Sequence, residues 1–121
     1  MKKILVVDDD IAMVRLYEMQ MRRAGYACYS FQTGKAALAD AAKIAPDIII
    51  LDFELPDMKG IDVIRALRAD VAFAKVPMIT VTGQGKSGLK SELLAAGAVE
   101  VFTKPFSPAL LLRSVQQLLK S

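Results

Sequence analysis

Five short apolar runs alternate along the chain with five segments of helical periodicity. The runs cover residues 4–7, 27–31, 48–51, 78–81 and 99–102. Ile48-Ile49-Ile50-Leu51 carries no polar alternation, which predicts a parallel strand covered on both faces. Between the runs lie 11–24, 34–44, 60–69, 87–96 and 107–120, read as helices. Gly25 and Gly97 stand where a helix C-terminus wants a left-handed residue, and Ser107-Pro108 supplies an N-cap followed by proline in the first turn. Leu111, Leu112, Val115, Leu118 and Leu119 recur at helical spacing and give the last segment one apolar face. Strict strand-helix alternation predicts an α/β fold. It is a doubly wound, five-stranded parallel sheet with helices on both faces, formed as one domain over residues 1–121.

Composition narrows the chemistry. Of 121 residues, 54% are hydrophobic and 24% charged, so a core can be buried and disorder is excluded. No apolar run approaches the ~18 residues of a membrane helix. Met1-Lys2-Lys3 leads straight into the first run, with no signal-peptide pattern. Histidine is absent, which removes Ser-His-Asp and Cys-His catalysis, His-ligated zinc and a phosphohistidine carrier on this chain. Cys28 is the single cysteine, forms no intrachain disulfide, and reads as a small core residue in a reducing cytoplasm. The net charge of +3 is spread without a like-charge block, and no helix-turn-helix is visible, so no direct nucleic-acid contact is expected.

Ligands of such sheets sit beyond the carboxyl ends of the strands. The residues directly after the runs are therefore taken together: Asp8-Asp9-Asp10, Asp52, Thr82-Gly83 and Lys104-Pro105, with Gln32-Thr33 adding little. Three unpaired carboxylates within ~5 Å repel by roughly 3 kcal/mol per pair at an effective dielectric of ~20. A cation must neutralise them, and an all-oxygen set suits Mg²⁺. With Thr82 as hydroxyl donor and Lys104 as a mobile ammonium, the set describes phosphoryl transfer with an aspartate nucleophile. Asp10 reads as the N-cap of the first helix, Leu55-Pro56-Asp57 as a turn, and Gly60 as the opening of the third helix.

The segments ILVVDDD, IIILDFELPDMKG, MITVTG and FTKPF, in this order and spacing, resemble the signatures of response-regulator receiver domains, the chemotaxis receiver among them. The resemblance covers essentially the whole chain. It implies a flavodoxin-like (βα)5 fold with strand order 2-1-3-4-5, and a cytoplasmic two-component signalling domain that is not a turnover enzyme. It further implies that Asp52 is phosphorylated by a histidine kinase or histidine phosphotransfer protein. Asp9 and Asp52 would ligate Mg²⁺ through their side chains, Glu54 through its backbone carbonyl, and Asp8 mainly through a metal-bound water. Thr82 would hydrogen-bond the phosphoryl group, Lys104 would pair with it, and Lys104-Pro105 would be a cis peptide. The output is a downstream protein or an attached domain.

Two other classes remain open on sequence. A haloacid-dehalogenase-type phosphatase also uses an Asp nucleophile, but its second Asp two residues on is Glu54 here and its acidic pair comes last in the chain. A pseudo-receiver would keep the fold without phosphorylation. Gly85-Lys86-Ser87 mimics a P-loop, yet Thr80 stands where a Walker A glycine belongs. The first helix is apolar on more than one face, and Met13, one turn past Asp9, is expected to face the phosphodonor. The loop Thr82-Gly83-Gln84-Gly85 is expected to move on phosphorylation. Receivers commonly carry Tyr or Phe three residues before the lysine. Val101 stands there, and adjacent Phe102 lies on the opposite strand face, so the usual aromatic switch is expected to be absent. Coupling would then run through the loop and fourth helix, or the output would be phosphoryl relay.

Overall fold

The alternation of runs and helices is reproduced in space. The computed structural model describes residues 1–83 and 85–120; Gln84, in the loop expected to move, and Ser121 lie outside the described residues. In chain order the elements are β1 (Lys3–Val7), α1 (Ile11–Arg23), β2 (Ala27–Phe31), α2 (Gly34–Ile44), β3 (Ile48–Asp52), α3 (Gly60–Arg68), β4 (Met78–Thr82), α4 (Leu89–Ala96), β5 (Glu100–Thr103) and α5 (Pro108–Leu119). A 3-10 turn, Val71–Phe73, precedes β4. The strands are all parallel, in the order β2-β1-β3-β4-β5.

Period-two alternation feeds two cores. Leu5, Val7, Ile49, Leu51 and Met78 pack with Ala37, Ala41, Val63, Ile64, Leu67 and Leu93 from α2, α3 and α4. Ile4, Val6, Ile48, Ile50, Ile79 and Val81 pack with Tyr17, Met21, Leu111 and Val115 from α1 and α5. Both faces of the central strands are thereby covered, which is why Ile48–Asp52 is buried throughout. Val101 joins the first core, whereas Phe102 joins the second and meets Phe106 edge-on, ring centroids 6.0 Å apart. The two adjacent residues face opposite ways, so Phe102 is not positioned to replace a ring at 101.

Boundaries shift in places that matter. β3 and β4 run one residue past the apolar runs, so Asp52 and Thr82 stand on strand ends held by the ladder. β5 starts at Glu100 and leaves Val99 exposed. α4 begins two residues later than expected because Gly88 takes a left-handed conformation, φ +87°, ahead of it. Two side chains brace the loops. Asp57 accepts from the Gly34 and Lys35 N–H groups at 2.9 Å each, capping α2 from the loop after β3. Arg68 donates to the carbonyls of Phe73 and Gly97, joining the ends of α3 and α4.

Gly60 is where α3 turns back onto the end of β3. Its N–H donates to the Phe53 carbonyl at 2.7 Å, and an added Cβ would lie 2.7 Å from Phe53 Cα and 2.8 Å from the Asp52 carbonyl oxygen. Backbone atoms cannot swing aside as a flexible side chain can. Gly60→Ala should destabilise the domain by about 2 kcal/mol, within the ordinary range for overpacking; a urea midpoint equal to wild type would contradict this.

Candidate functional site

Four strand ends build the site. β1 delivers Asp8, whose N–H donates to the Phe31 carbonyl at 3.0 Å and whose Oδ1 accepts from the Asp10 N–H at 2.9 Å. Asp10 turns away to cap α1, accepting from Ala12 N–H at 3.0 Å and Met13 N–H at 3.4 Å, as expected of it. β3 delivers Asp52, 4% exposed. Its Oδ1 accepts from the Glu54 N–H and its Oδ2 from the Lys104 ammonium, both at 3.0 Å. One carboxylate oxygen from each of Asp8, Asp9 and Asp52 lies within 4.8 Å of the others. Thr82 is one residue past Val81, the register partner of Asp52, and its carbonyl accepts from the Lys104 N–H at 2.7 Å. That bond ties the end of β5 to the end of β4. The Lys104-Pro105 peptide is cis. The residues singled out on sequence thus share one rim, with Asp10 the exception that sequence already set apart.

The electrostatics follow from crowding like charges in a half-closed place. Burial chiefly, reinforced by the charge of Asp52, raises the Asp8 carboxyl to about 6, although the Asp10 N–H pulls the other way. Partial burial lowers the proton affinity of Lys104, but the hydrogen bond and charge of Asp52, with Asp8 and Glu54 behind, outweigh it and hold the ammonium above its ordinary pKa. Asp8 Oδ2 is buried and has no hydrogen-bond partner among the described residues. An orphaned carboxylate oxygen beside two further carboxylates is a donor set that fits a small hard cation.

Sequence reasoning missed two contributors, Tyr17 and the side chain of Glu54, and anticipated Met13 and Cys28. Tyr17 stacks on Phe106 with ring centroids 6.3 Å apart, and its buried hydroxyl has no partner among the described residues. Burial, then the charges of Asp8, Asp52 and Asp10, push its pKa far up. Met13, half-buried, lines a hollow of about 190 Å³ with Leu16, Lys104, Pro105, Phe106 and Pro108, so an apolar wall stands directly beside the polar rim. Ile11 and Met19 are the exposed large apolar residues of α1. Glu54 Oε1 accepts from the Gly83 N–H at 3.2 Å. No spacing rule could have found that contact, since 29 residues separate the two. Cys28 is buried and its thiol is pushed up to about 11, first by burial, as befits a core residue.

Comparison with known proteins agrees with the geometry. The sequence pattern of the response regulator receiver domain matches residues 4–116. The chain is 34% identical over 119 residues to the phosphate regulon transcriptional regulatory protein PhoB of Pseudomonas aeruginosa, covering 98% of this chain and 52% of PhoB. It is 37% identical over 116 residues to the response regulator PleD of Caulobacter vibrioides, covering 96% of this chain and 26% of PleD. The chain therefore spans about half or less of these curated relatives. Among solved structures, the chemotaxis response regulator CheY4 of Vibrio cholerae superposes with a TM-score of 0.91 at 34% identity, over 98% of this chain and 99% of that one. No helix among the described residues is long and apolar enough to cross a membrane.

Proposed function

Because the chain belongs to the receiver-domain family of two-component response regulators, we propose that Asp52 is its phosphoacceptor. On this reading residues 1–121 act as one signalling domain in the cytoplasm, charged by a histidine kinase or histidine phosphotransfer protein. The observation that carries the reading is the convergence on Asp52 of the Lys104 ammonium at 3.0 Å and the carboxylates of Asp8 and Asp9.

Each residue has a task set by its surroundings. An Asp52 oxygen forms a bond to phosphorus while the donor's P–N bond breaks, and the electron pair leaves with the donor imidazole. Lys104, already ion-paired with Asp52, transfers its attraction to the incoming phosphoryl oxygens as the carboxylate charge is consumed. Thr82, held at the end of β4, offers its hydroxyl to the same group. Asp9 and Asp52 would hold Mg²⁺ through side chains, Glu54 through its backbone carbonyl and Asp8 through a bound water. When bound, the ion supplies charge neutralisation and polarises the phosphoryl oxygens. The hollow beside Lys104, with Met13 on its wall, receives the donor surface. Glu54 stands where a haloacid-dehalogenase-type phosphatase keeps its acid-base aspartate, and its carboxylate is engaged with the Gly83 amide. The domain is accordingly charged rather than a turnover catalyst.

Intact-mass measurement tests this reading. Wild type with acetyl phosphate and Mg²⁺ should gain one phosphoryl group per chain, and none once a chelator removes the metal. Metal-independent labelling or steady release of phosphate from a generic phosphomonoester would refute it.

Two variants probe the parts. Asp9→Ala should weaken Mg²⁺ binding by at least about tenfold, whereas Asp10→Ala should cost about 1 kcal/mol of stability by removing the α1 cap and leave binding nearly intact. Equal losses in a Mg²⁺ titration would show that the acidic triplet is misassigned. Met13→Ala should remain folded and slow transfer from a histidine donor more than labelling by acetyl phosphate. A uniform loss from both donors would remove Met13 from the docking surface.

A further inference from the structure

We propose that the Glu54 side chain is a resident anion that clasps the Gly83 amide, holds the start of the β4–α4 loop in its resting position, and competes there with a phosphoryl group on Asp52. This regulation of the same site rests on the phosphoacceptor reading above.

Glu54 is fastened to both loops of the rim. Its backbone N–H donates to Asp52 Oδ1 at 3.0 Å, and its Oε1 accepts from the Gly83 N–H at 3.2 Å. A carboxylate accepting from an amide is stronger than a neutral pair. The carboxylate lies against this stretch of backbone: a Cβ built on Gly83 would meet Glu54 Oε1 at 3.5 Å, an ordinary contact. The Glu54 charge is also felt by the Lys104 ammonium, the same cation that would pair with a phosphoryl group on Asp52. Meanwhile α4 starts from left-handed Gly88 with no side-chain cap.

Phosphorylation sets up a contest. A phosphoryl group brings up to two negative charges and three strong acceptor oxygens. The donors of the rim are the Lys104 ammonium and the Glu54 N–H, both on Asp52 at 3.0 Å, the Thr82 hydroxyl at the end of β4 and, just after that strand, the Gly83 N–H, which Glu54 already engages. The incoming group both repels the Glu54 carboxylate and seeks its donor. Glu54 therefore slows charging by small anionic donors and favours the resting loop until the phosphoryl group displaces it.

The test compares wild type with Glu54→Ala, which loses charge and acceptor, and Glu54→Gln, which keeps an acceptor and loses the charge; the backbone carbonyl survives in both. Two quantities are measured: exchange of the Gly83 amide in the unphosphorylated protein by NMR, and the rate of labelling by acetyl phosphate. In Glu54→Ala, Gly83 exchange should accelerate about tenfold and labelling about three- to tenfold. Glu54→Gln should fall between, and the labelling difference should shrink in about 0.5 M salt, where exposed charges are screened. An unchanged Gly83 amide, or labelling no faster in Glu54→Ala, overturns the proposal. If no protein is labelled, wild type included, the phosphoacceptor reading fails instead, and the Gly83 amide still decides the clasp.

Discussion

Asp52→Asn is expected to take up no phosphoryl group under conditions that charge the wild-type chain completely. The amide nitrogen and oxygen have no ionised lone pair to offer phosphorus, and no second carboxylate duplicates the position of Asp52. Asp8 and Asp9 share the cluster, yet only Asp52 is paired with Lys104 at 3.0 Å. The fold should survive, because the asparagine oxygen can still accept from the Glu54 N–H, as Asp52 Oδ1 does at 3.0 Å. Intact mass reports the loss and circular dichroism the retained fold. Labelling of Asp52→Asn at the wild-type level would move the phosphoacceptor to another residue.

Asp8→Asn should have two large and opposite effects. In the metal-free protein it should raise stability. Burial, aided by Asp52, lifts the Asp8 carboxyl from an ordinary 3.8 to about 6, so the folded state binds this proton more tightly than the unfolded state. Below about pH 4 both states are protonated and Asp8 carries no penalty. As pH rises toward 6 the unfolded chain ionises first, and stability falls until the full penalty is present above that range. Each pKa step is worth about 1.4 kcal/mol. Water reaching the rim past exposed Asp9 screens part of it, which puts the gain from Asp8→Asn at about 2 kcal/mol at pH 7.5. The asparagine oxygen still accepts from the Asp10 N–H. Mg²⁺ affinity should fall at least about tenfold in the same variant, because the orphaned carboxylate oxygen that favours a cation is gone. Urea titrations without metal at pH 7.5 and 4.5 check the first effect. The gain should shrink at the lower pH, and a gain equal at both would show that Asp8 is not the titrating group.

The parts of the molecule legible in the sequence are those governed by short-range pattern. Ile48-Ile49-Ile50-Leu51 could only be a strand covered on both faces, and Ser107-Pro108 could only open a helix. Once the strands are parallel, their carboxyl ends must share one rim. Asp8, Asp9, Asp52, Thr82 and Lys104 could therefore be grouped from four separate stretches without knowing a distance. The absence of histidine excluded whole classes of chemistry at once.

Tertiary structure decided what depends on loops meeting across the fold. Asp57 reads as a turn residue, yet it caps α2 because the loop after β3 comes down on the start of that helix. Arg68 sits at the end of α3 like any solvated arginine, and only the arrival of Gly97 beside it makes it a brace. Glu54 looks like a weaker form of a catalytic aspartate until Gly83, 29 residues on, is found against its carboxylate. Helix and strand periodicity is a local property, set by 3.6- and 2-residue repeats and legible wherever one face must be buried. A side chain's partner across two loops depends on the path of both backbones, which no local repeat encodes.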